Sequence, residues 1–203
     1  MKKNIVLLLF VCFLSACSPI IPLNQENVSK VKTIYVQPEI NVNGEMIYEG
    51  REGKLTKHVG LISLFVLGST MTNKTNNMKE FVDKNKIDIR KIVYQQWIKQ
   101  LNQTKFIQNK SADAIMTIEI KYYGIKARSP FTDEMGAVMK INAKLTWHDQ
   151  VIWEDSDDLI ESDKVNPGYT EQEILEDPQK LVEMWDKISE KIIKRMLARM
   201  VKN

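Results

Sequence analysis

Two runs of strictly alternating residues constrain this chain more than anything else in it. In Ala114–Tyr122, Ala114, Met116, Ile118, Ile120 and Tyr122 fall on one side, with Thr117, Glu119 and Lys121 on the other. Met139–Trp147 repeats the pattern, with Met139, Ile141, Ala143, Leu145 and Trp147 opposed to Lys140, Asn142, Lys144 and Thr146. Successive side chains of a strand point to opposite faces, so each run is a strand with one buried face. One-sided alternation belongs to antiparallel sheets more than to parallel sheets covered on both faces. After His148-Asp149-Gln150, the stretch Val151–Ile160, with Trp153, reads as a further strand. The short link predicts an antiparallel hairpin.

Around this sheet the spacing changes to that of helices. In Lys79–Gln103, Phe81, Val82, Ile89, Ile92, Val93, Trp97 and Leu101 recur every three or four residues, which predicts a long amphipathic helix. Asp88 is placed for a helix first turn, where the dipole favours a carboxylate. Thr170 with Glu173 fits a capping box. Asp177-Pro178 opens a final helix striped by Leu181, Trp185, Ile188, Ile192 and Met196, with basic residues in its last turns. Val31–Ile40 reads as a first strand. Asn43-Gly44 and Val165–Tyr169 read as turns, and Asn73–Asn77 as a polar loop. The expected fold is α+β: a mostly antiparallel sheet of about four strands packed against two long amphipathic helices.

The N-terminus says where such a domain works. Lys2 and Lys3 precede an apolar run, Ile5–Leu14, and then Leu14-Ser15-Ala16-Cys17. A basic start, an apolar core and small residues before a cut make a secretory signal peptide. The run is about ten residues, whereas a membrane span needs about 20. Leu14-Ser15-Ala16-Cys17 resembles the bacterial lipobox. That resemblance implies removal of residues 1–16 and lipidation (palmitate among the acyl chains) of Cys17. In Gram-negative lipoproteins of this kind, Ser18 rather than Asp after the cysteine implies the outer membrane, facing the periplasm. Residues 17–29 then form a lipidated tether with two prolines, and residues 30–203 a single periplasmic domain.

Composition excludes several classes. The chain has 29 Lys+Arg against 26 Asp+Glu, and Lys2 and Lys3 leave with the signal, so the remaining chain is nearly neutral. That is no footprint for nucleic acid. Both cysteines, Cys12 and Cys17, lie at the N-terminus. The rest holds neither a disulfide nor a cysteine-based zinc site. His58 and His148 read as surface or turn residues, and no nucleophile elbow, zinc helix or phosphate loop is present. The acidic run Glu154, Asp155, Asp157, Asp158, Glu161 and Asp163 fails as a calcium loop, because Leu159 and Ile160 stand where a ligand and a glycine are needed. It reads as a solvated strand end and loop. Trp97, Trp147 and Trp185 lie on apolar stripes and are expected in the core. No cofactor, metal or catalytic residue is assigned.

Gly60–Thr72 has thirteen residues without a charge. It is either packed into the domain or a surface for a membrane or a partner, through Leu61, Leu64, Phe65 and Leu67. Packing is the expectation.

Ser111-Ala112-Asp113-Ala114 opens an alternating strand, Leu145–Trp153 is a hairpin with tryptophans, and the last helix is amphipathic. In this order and pattern the chain is similar to small α/β lipoproteins of envelope machines: the lipopolysaccharide-transport accessory lipoprotein, penicillin-binding-protein activators and the N-terminal part of curli-secretion lipoproteins. The resemblance implies a non-enzymatic accessory or assembly role with an envelope protein partner. A ligand-binding lipoprotein for sugar, peptide or lipid is the alternative, ahead of a hydrolase with a scattered site.

Overall fold

The computed structural model describes residue 26, residues 30–54 and residues 64–202, without the side chains of residues 64–73 and 202. The two alternating runs form its longest strands. In chain order the elements are β1 (Thr33–Val36), β2 (Asn41–Val42), β3 (Met46–Glu49), α1 (Leu64–Lys84), α2 (Ile89–Leu101), β4 (Ile107–Gln108), β5 (Ala114–Ala127), β6 (Glu134–Trp147), β7 (Gln150–Leu159), β8 (Tyr169–Thr170), α3 (Glu171–Glu176) and α4 (Pro178–Lys202).

The fold is α+β, but the sheet is mixed and eight-stranded, not a four-stranded antiparallel one. The predicted meander β5-β6-β7 is present and antiparallel. His148 (φ 47°) and Asp149 (φ 62°) close its second hairpin. Two positive-φ residues make the two-residue turn whose twist suits a hairpin. The other edge of β5 is taken by β1, β2 and β3 in succession, all parallel to it. The predicted first strand is thus broken into pieces. The break after β2, at the Asn43-Gly44 turn, lies beside a register shift in β5 between Ile120 and Tyr122. Gly124 (φ 149°) lets β3 approach, since a Cβ there would lie 1.9 Å from the Ile47 carbonyl oxygen.

The helices also depart from expectation. Asn73–Asn77 is no loop but lies inside α1, and the predicted helix over 79–103 is two helices. The polar run is tolerated because Asn76 and Asn77 face water while Met78 and Val82, four apart, turn inward. Such residues cost well under 1 kcal/mol each in an exposed helix. Lys86 adopts φ 54° and stops α1. Asp88 then restarts the chain as N-cap of α2, its side chain accepting the Arg90 N–H. This places Asp88 just before the helix rather than inside its first turn.

α2 and α4 pack together, and α4 also packs on β6 and β7. Met116, Ile141 and Leu145 of the sheet meet Trp97, Trp185, Ile188 and Ile192 in one core, all essentially inaccessible. The Trp185 indole N–H donates to the Gly124 carbonyl at 3.2 Å, and its ring meets Tyr123 edge-on at 5.4 Å. Trp153, read only as part of a strand, is also core, while Trp147 packs against it half-buried. The other face of the sheet is polar along its middle, where Ser156 donates to Asn142 at 2.7 Å. At one end the chain after β7 crosses that face. A Cβ on Gly136 would lie 2.2 Å from the Glu161 carbonyl oxygen, and buried Asn166 pairs with both the N–H and the C=O of Ala137.

Candidate functional site

The candidate site lies at that same end, where three loops meet after their strands. β3 finishes in Tyr48 and Glu49 and runs through Gly50 into a helical turn, residues 51–54. The β5–β6 loop brings Asp133, and the start of β6 brings Met135. β8 leads into α3, whose N-cap Thr170 and Glu173 form the predicted capping box. Glu171 and Leu175 follow on that helix, and Lys74 of α1 completes the wall. Together they enclose a cleft of about 550 Å³.

Ion pairs set its shape. Arg51 reaches Asp133 at 3.2 Å across the mouth, and Lys74 stands 3.5 Å from Glu52. Both pairs are largely exposed, so each adds at most about 1 kcal/mol. Below them lie two better-buried pairs, Lys54 with Glu161 and Lys126 with Glu49 at 3.2 Å. Lys54 also donates to the Arg128 carbonyl at 3.2 Å. These pairs fix the 51–54 turn against the β5–β6 loop and the segment after β7. A hydrogen bond from its own backbone N–H, and then Lys74, hold Glu52 below the usual carboxylate range against the opposing effect of burial.

Tyr48 is the unusual group. It is 6% exposed, and its hydroxyl makes no hydrogen bond among the described residues. Burial first, then the nearby Glu171 carboxylate, push its ionisation far above the ordinary tyrosine range. It therefore stays a neutral donor at any physiological pH. The cleft can accept a polar group at Tyr48 and Glu171, framed by opposite charges at Arg51 and Asp133.

The residues singled out from the sequence fall elsewhere. Cys17, the signal peptide and the tether apart from Glu26 lie outside the described residues, as do Leu61 and His58. Leu64, Phe65 and Leu67 belong to α1 by their backbone, and their side chains lie outside the described residues. His148 sits in the β6–β7 turn against Trp147, ring centroids 4.4 Å apart. The acidic run is not a solvated strand end. Asp155 is 2% exposed, and Asp155 and Asp157 receive Arg199 and Arg195 from α4 at 2.7 and 2.6 Å. Glu161 is taken by Lys54. Among the described residues no group of His, Cys, Asp and Glu is arranged to hold a metal ion, and no helix is long and apolar enough to cross a membrane.

Sequence reading missed Tyr48, Arg51, Asp133 and Glu171. The one signal for them was the capping box, which fixes Glu171 in a helix first turn. Nothing local ties it to Tyr48.

No family model and no curated protein matches the sequence. Among solved structures, similarity is found to a Xanthomonas campestris protein of the family model DUF330, at 9% identity and a TM-score of 0.38, over 53% of this chain and 58% of that one. A second is the lipoprotein GNA1162 from Neisseria meningitidis, at 13% identity and a TM-score of 0.28, over 74% of this chain and 94% of that one. The chain thus spans little more than half the length of the first. At these TM-scores neither carries a conclusion about this protein.

Proposed function

We propose that this chain is a lipoprotein of the bacterial envelope, anchored through Cys17 and acting as a non-enzymatic accessory or assembly component. The outer membrane, facing the periplasm, is the location that Ser18 favours. In this reading the cleft end of the domain receives a protein partner. One observation carries it: the cleft and the start of the domain lie at opposite ends of the sheet. β1 enters beside the first residues of β5, with Ile34 opposite Ala114, whereas the cleft gathers around β3 and the β5–β6 loop, where Glu49 is opposite Lys126. Along β5, Ala114 and Lys126 lie twelve residues apart, about 40 Å at ~3.3 Å per residue. A tether at one end leaves the other free to meet a partner. Phe131, 88% exposed at the tip of the β5–β6 loop, offers that partner an apolar contact.

Radiolabelled palmitate should enter the full chain and be lost in Cys17→Ser. Photo-crosslinkers placed at Phe131 and Arg51 in detergent-solubilised membranes should capture the same protein, and placed at His148 should not. Labelling that survives Cys17→Ser ends the lipoprotein reading. Crosslinks equal at both ends, or at neither, end the partner reading. A ligand-binding lipoprotein remains the second reading, favoured by the cleft volume, which lies within the ~300–1,000 Å³ of small-molecule sites, and by the Tyr48 hydroxyl.

A further inference from the structure

We infer that the end of the domain opposite the cleft is a membrane-facing surface, shaped for a bilayer carrying anionic lipid headgroups. The inference rests on the proposed anchor at Cys17, since it concerns what the domain does once held at a membrane.

The described chain begins at this end. Lys30 precedes β1 and lies over the Trp147 ring at 5.7 Å. Next to it runs β4, the short outermost strand, with Thr33 opposite Ile107 and the Ile107 N–H donating to the Lys32 carbonyl at 3.2 Å. Ile107 is 64% exposed, an isoleucine on a sheet edge facing water. Exposed lysines surround it: Lys32 on one side, Lys105 and Lys110 on the other. Among the acidic groups here, Glu26 pairs with Lys30, Asp113 accepts the Thr33 hydroxyl at 2.8 Å and lies near Lys32, and Asp149 stands in the β6–β7 turn. Among the described residues Lys32, Lys105 and Lys110 make no ion pair.

A groove of about 420 Å³ adjoins Lys105. Its wall is mainly apolar, from Leu197, Ala198 and Val201 on the last turns of α4, with the α2 C-terminus opposite and Lys194 at the rim. Val201 is 41% exposed. Ile115 and Val151, at the starts of β5 and β7, put two more exposed aliphatics at this end. Aliphatic side chains ringed by lysines suit a bilayer interface: the apolar groups enter the headgroup boundary, and the lysine stems lie along them with their ammonium groups among the phosphates.

The occupant follows from where the chain leaves. Residues 18–29 reach at most about 40 Å at ~3.3–3.6 Å per residue, so a lipid at Cys17 keeps the Lys30 end near the bilayer it is anchored in. The opposite end cannot approach closely without the domain turning over. Exposed lysines and exposed aliphatics therefore lie at the end the tether holds down.

The test uses the full chain with Cys17→Ser, which removes the anchor and leaves the surface. Vesicles of phosphatidylethanolamine and phosphatidylglycerol in equal parts are compared with phosphatidylcholine vesicles by co-flotation. Partition onto the anionic vesicles, weakened by salt, is expected. Lys32→Gln, Lys105→Gln and Lys110→Gln combined should lower it roughly 100-fold, about fivefold per lysine removed from an anionic surface, with thermal unfolding unchanged. Ile107→Ser alone, exposed and outside the core, should weaken binding without unfolding the domain. Equal partition onto both vesicle types, or indifference to the triple substitution, overturns the inference. So does a triple variant whose defect is loss of a dimer, which would make this a surface between copies. Absence of acyl groups from the native chain by mass spectrometry would refute the anchor and leave the vesicle result standing. Absence of salt-sensitive partition would refute the surface and leave the anchor standing.

Discussion

Arg199 Nε lies 2.7 Å from Asp155 Oδ2, and the two ends of this pair differ sharply: the carboxylate is 1% exposed, the guanidinium 42%. Arg199 also reaches Asp157 at 3.1 Å, and Arg195 grips the same carboxylate and the Asp158 carbonyl. Two arginines, four apart on α4, thus clamp two aspartates, two apart on β7.

The asymmetry predicts unequal losses. Arg199→Ala leaves the Asp155 carboxylate buried and, among the described residues, with the Ser156 N–H at 2.8 Å as its remaining partner. Asp155→Ala leaves an arginine that can turn to water. Breaking a fully buried pair costs ~3–5 kcal/mol, and partial exposure of this one lowers that, so Arg199→Ala should cost about 2–3 kcal/mol and Asp155→Ala about 1. Urea denaturation of both variants checks this. Equal losses would show that burial of the carboxylate is not the deciding factor.

Gly124→Ala should be among the most damaging single changes. An added methyl meets the Ile47 carbonyl oxygen at 1.9 Å in a backbone that only glycine adopts readily. β3 must then separate from β5, and with it the floor of the cleft. A loss above about 3 kcal/mol, or failure to fold, is expected in urea denaturation.

Asp88 gives a pH signature. The Arg90 side chain, then the Arg90 backbone N–H, hold its carboxyl below the usual aspartate range despite some burial. A carboxyl lowered in the folded state stabilises the fold above its unfolded value, and the contribution is lost as pH falls through the folded one. Stability should therefore drop on acidification below about pH 4, the unfolded aspartate value. Asp88→Asn keeps the cap but should flatten that part of the profile, read by thermal unfolding as a function of pH.

Tyr48 should behave in the opposite sense. Its folded ionisation is raised, so its contribution is intact below the unfolded value near ~10 and is lost as pH rises above it. In an ultraviolet titration Tyr48→Phe should remove a phenolate that forms only with unfolding. Because the hydroxyl is buried without a hydrogen bond among the described residues, the same change should leave stability equal or raise it by about 0.5–1 kcal/mol. A clear loss would mean the hydroxyl has a partner in solution.

What the sequence made legible was local. The alternation of Ala114–Ile120 and Met139–Trp147 specified two strands and the face each buries, because register and pattern share a period of two. Tyr122, expected on the same buried face, lies past the register shift, opposite Lys140 on the polar face with its hydroxyl 3.4 Å from Asp158. Thr170, Glu173 and Asp177 marked helix starts, because a cap acts within three residues. The parallel edge was not legible. β2 is two residues long and β3 four, too short for a pattern, and their partner lies far along the chain. The break at Lys86 was hidden by apolar residues that keep helical spacing on both sides of it. The acidic run misled for a related reason: Asp155 and Asp157 alternate as inward residues do, but carboxylates there make sense only once Arg195 and Arg199 are known to face them. The cleft combines these difficulties, since Tyr48, Asp133 and Glu171 come from three distant segments.

The parallel edge sets an order of assembly. β5, β6 and β7 are joined by short turns and can pair as soon as they exist. β1 must find a groove on β5 that lies 80 residues further along, as the Thr33–Asp113 hydrogen bond shows. Closing so long a loop is slow compared with closing a hairpin. For a chain emerging N-terminus first, the leading segment is thus the first to appear and the last to be locked down. Until β5 has been made, β1 has no sheet edge to pair with, so the parallel side of the sheet closes only after the hairpins exist.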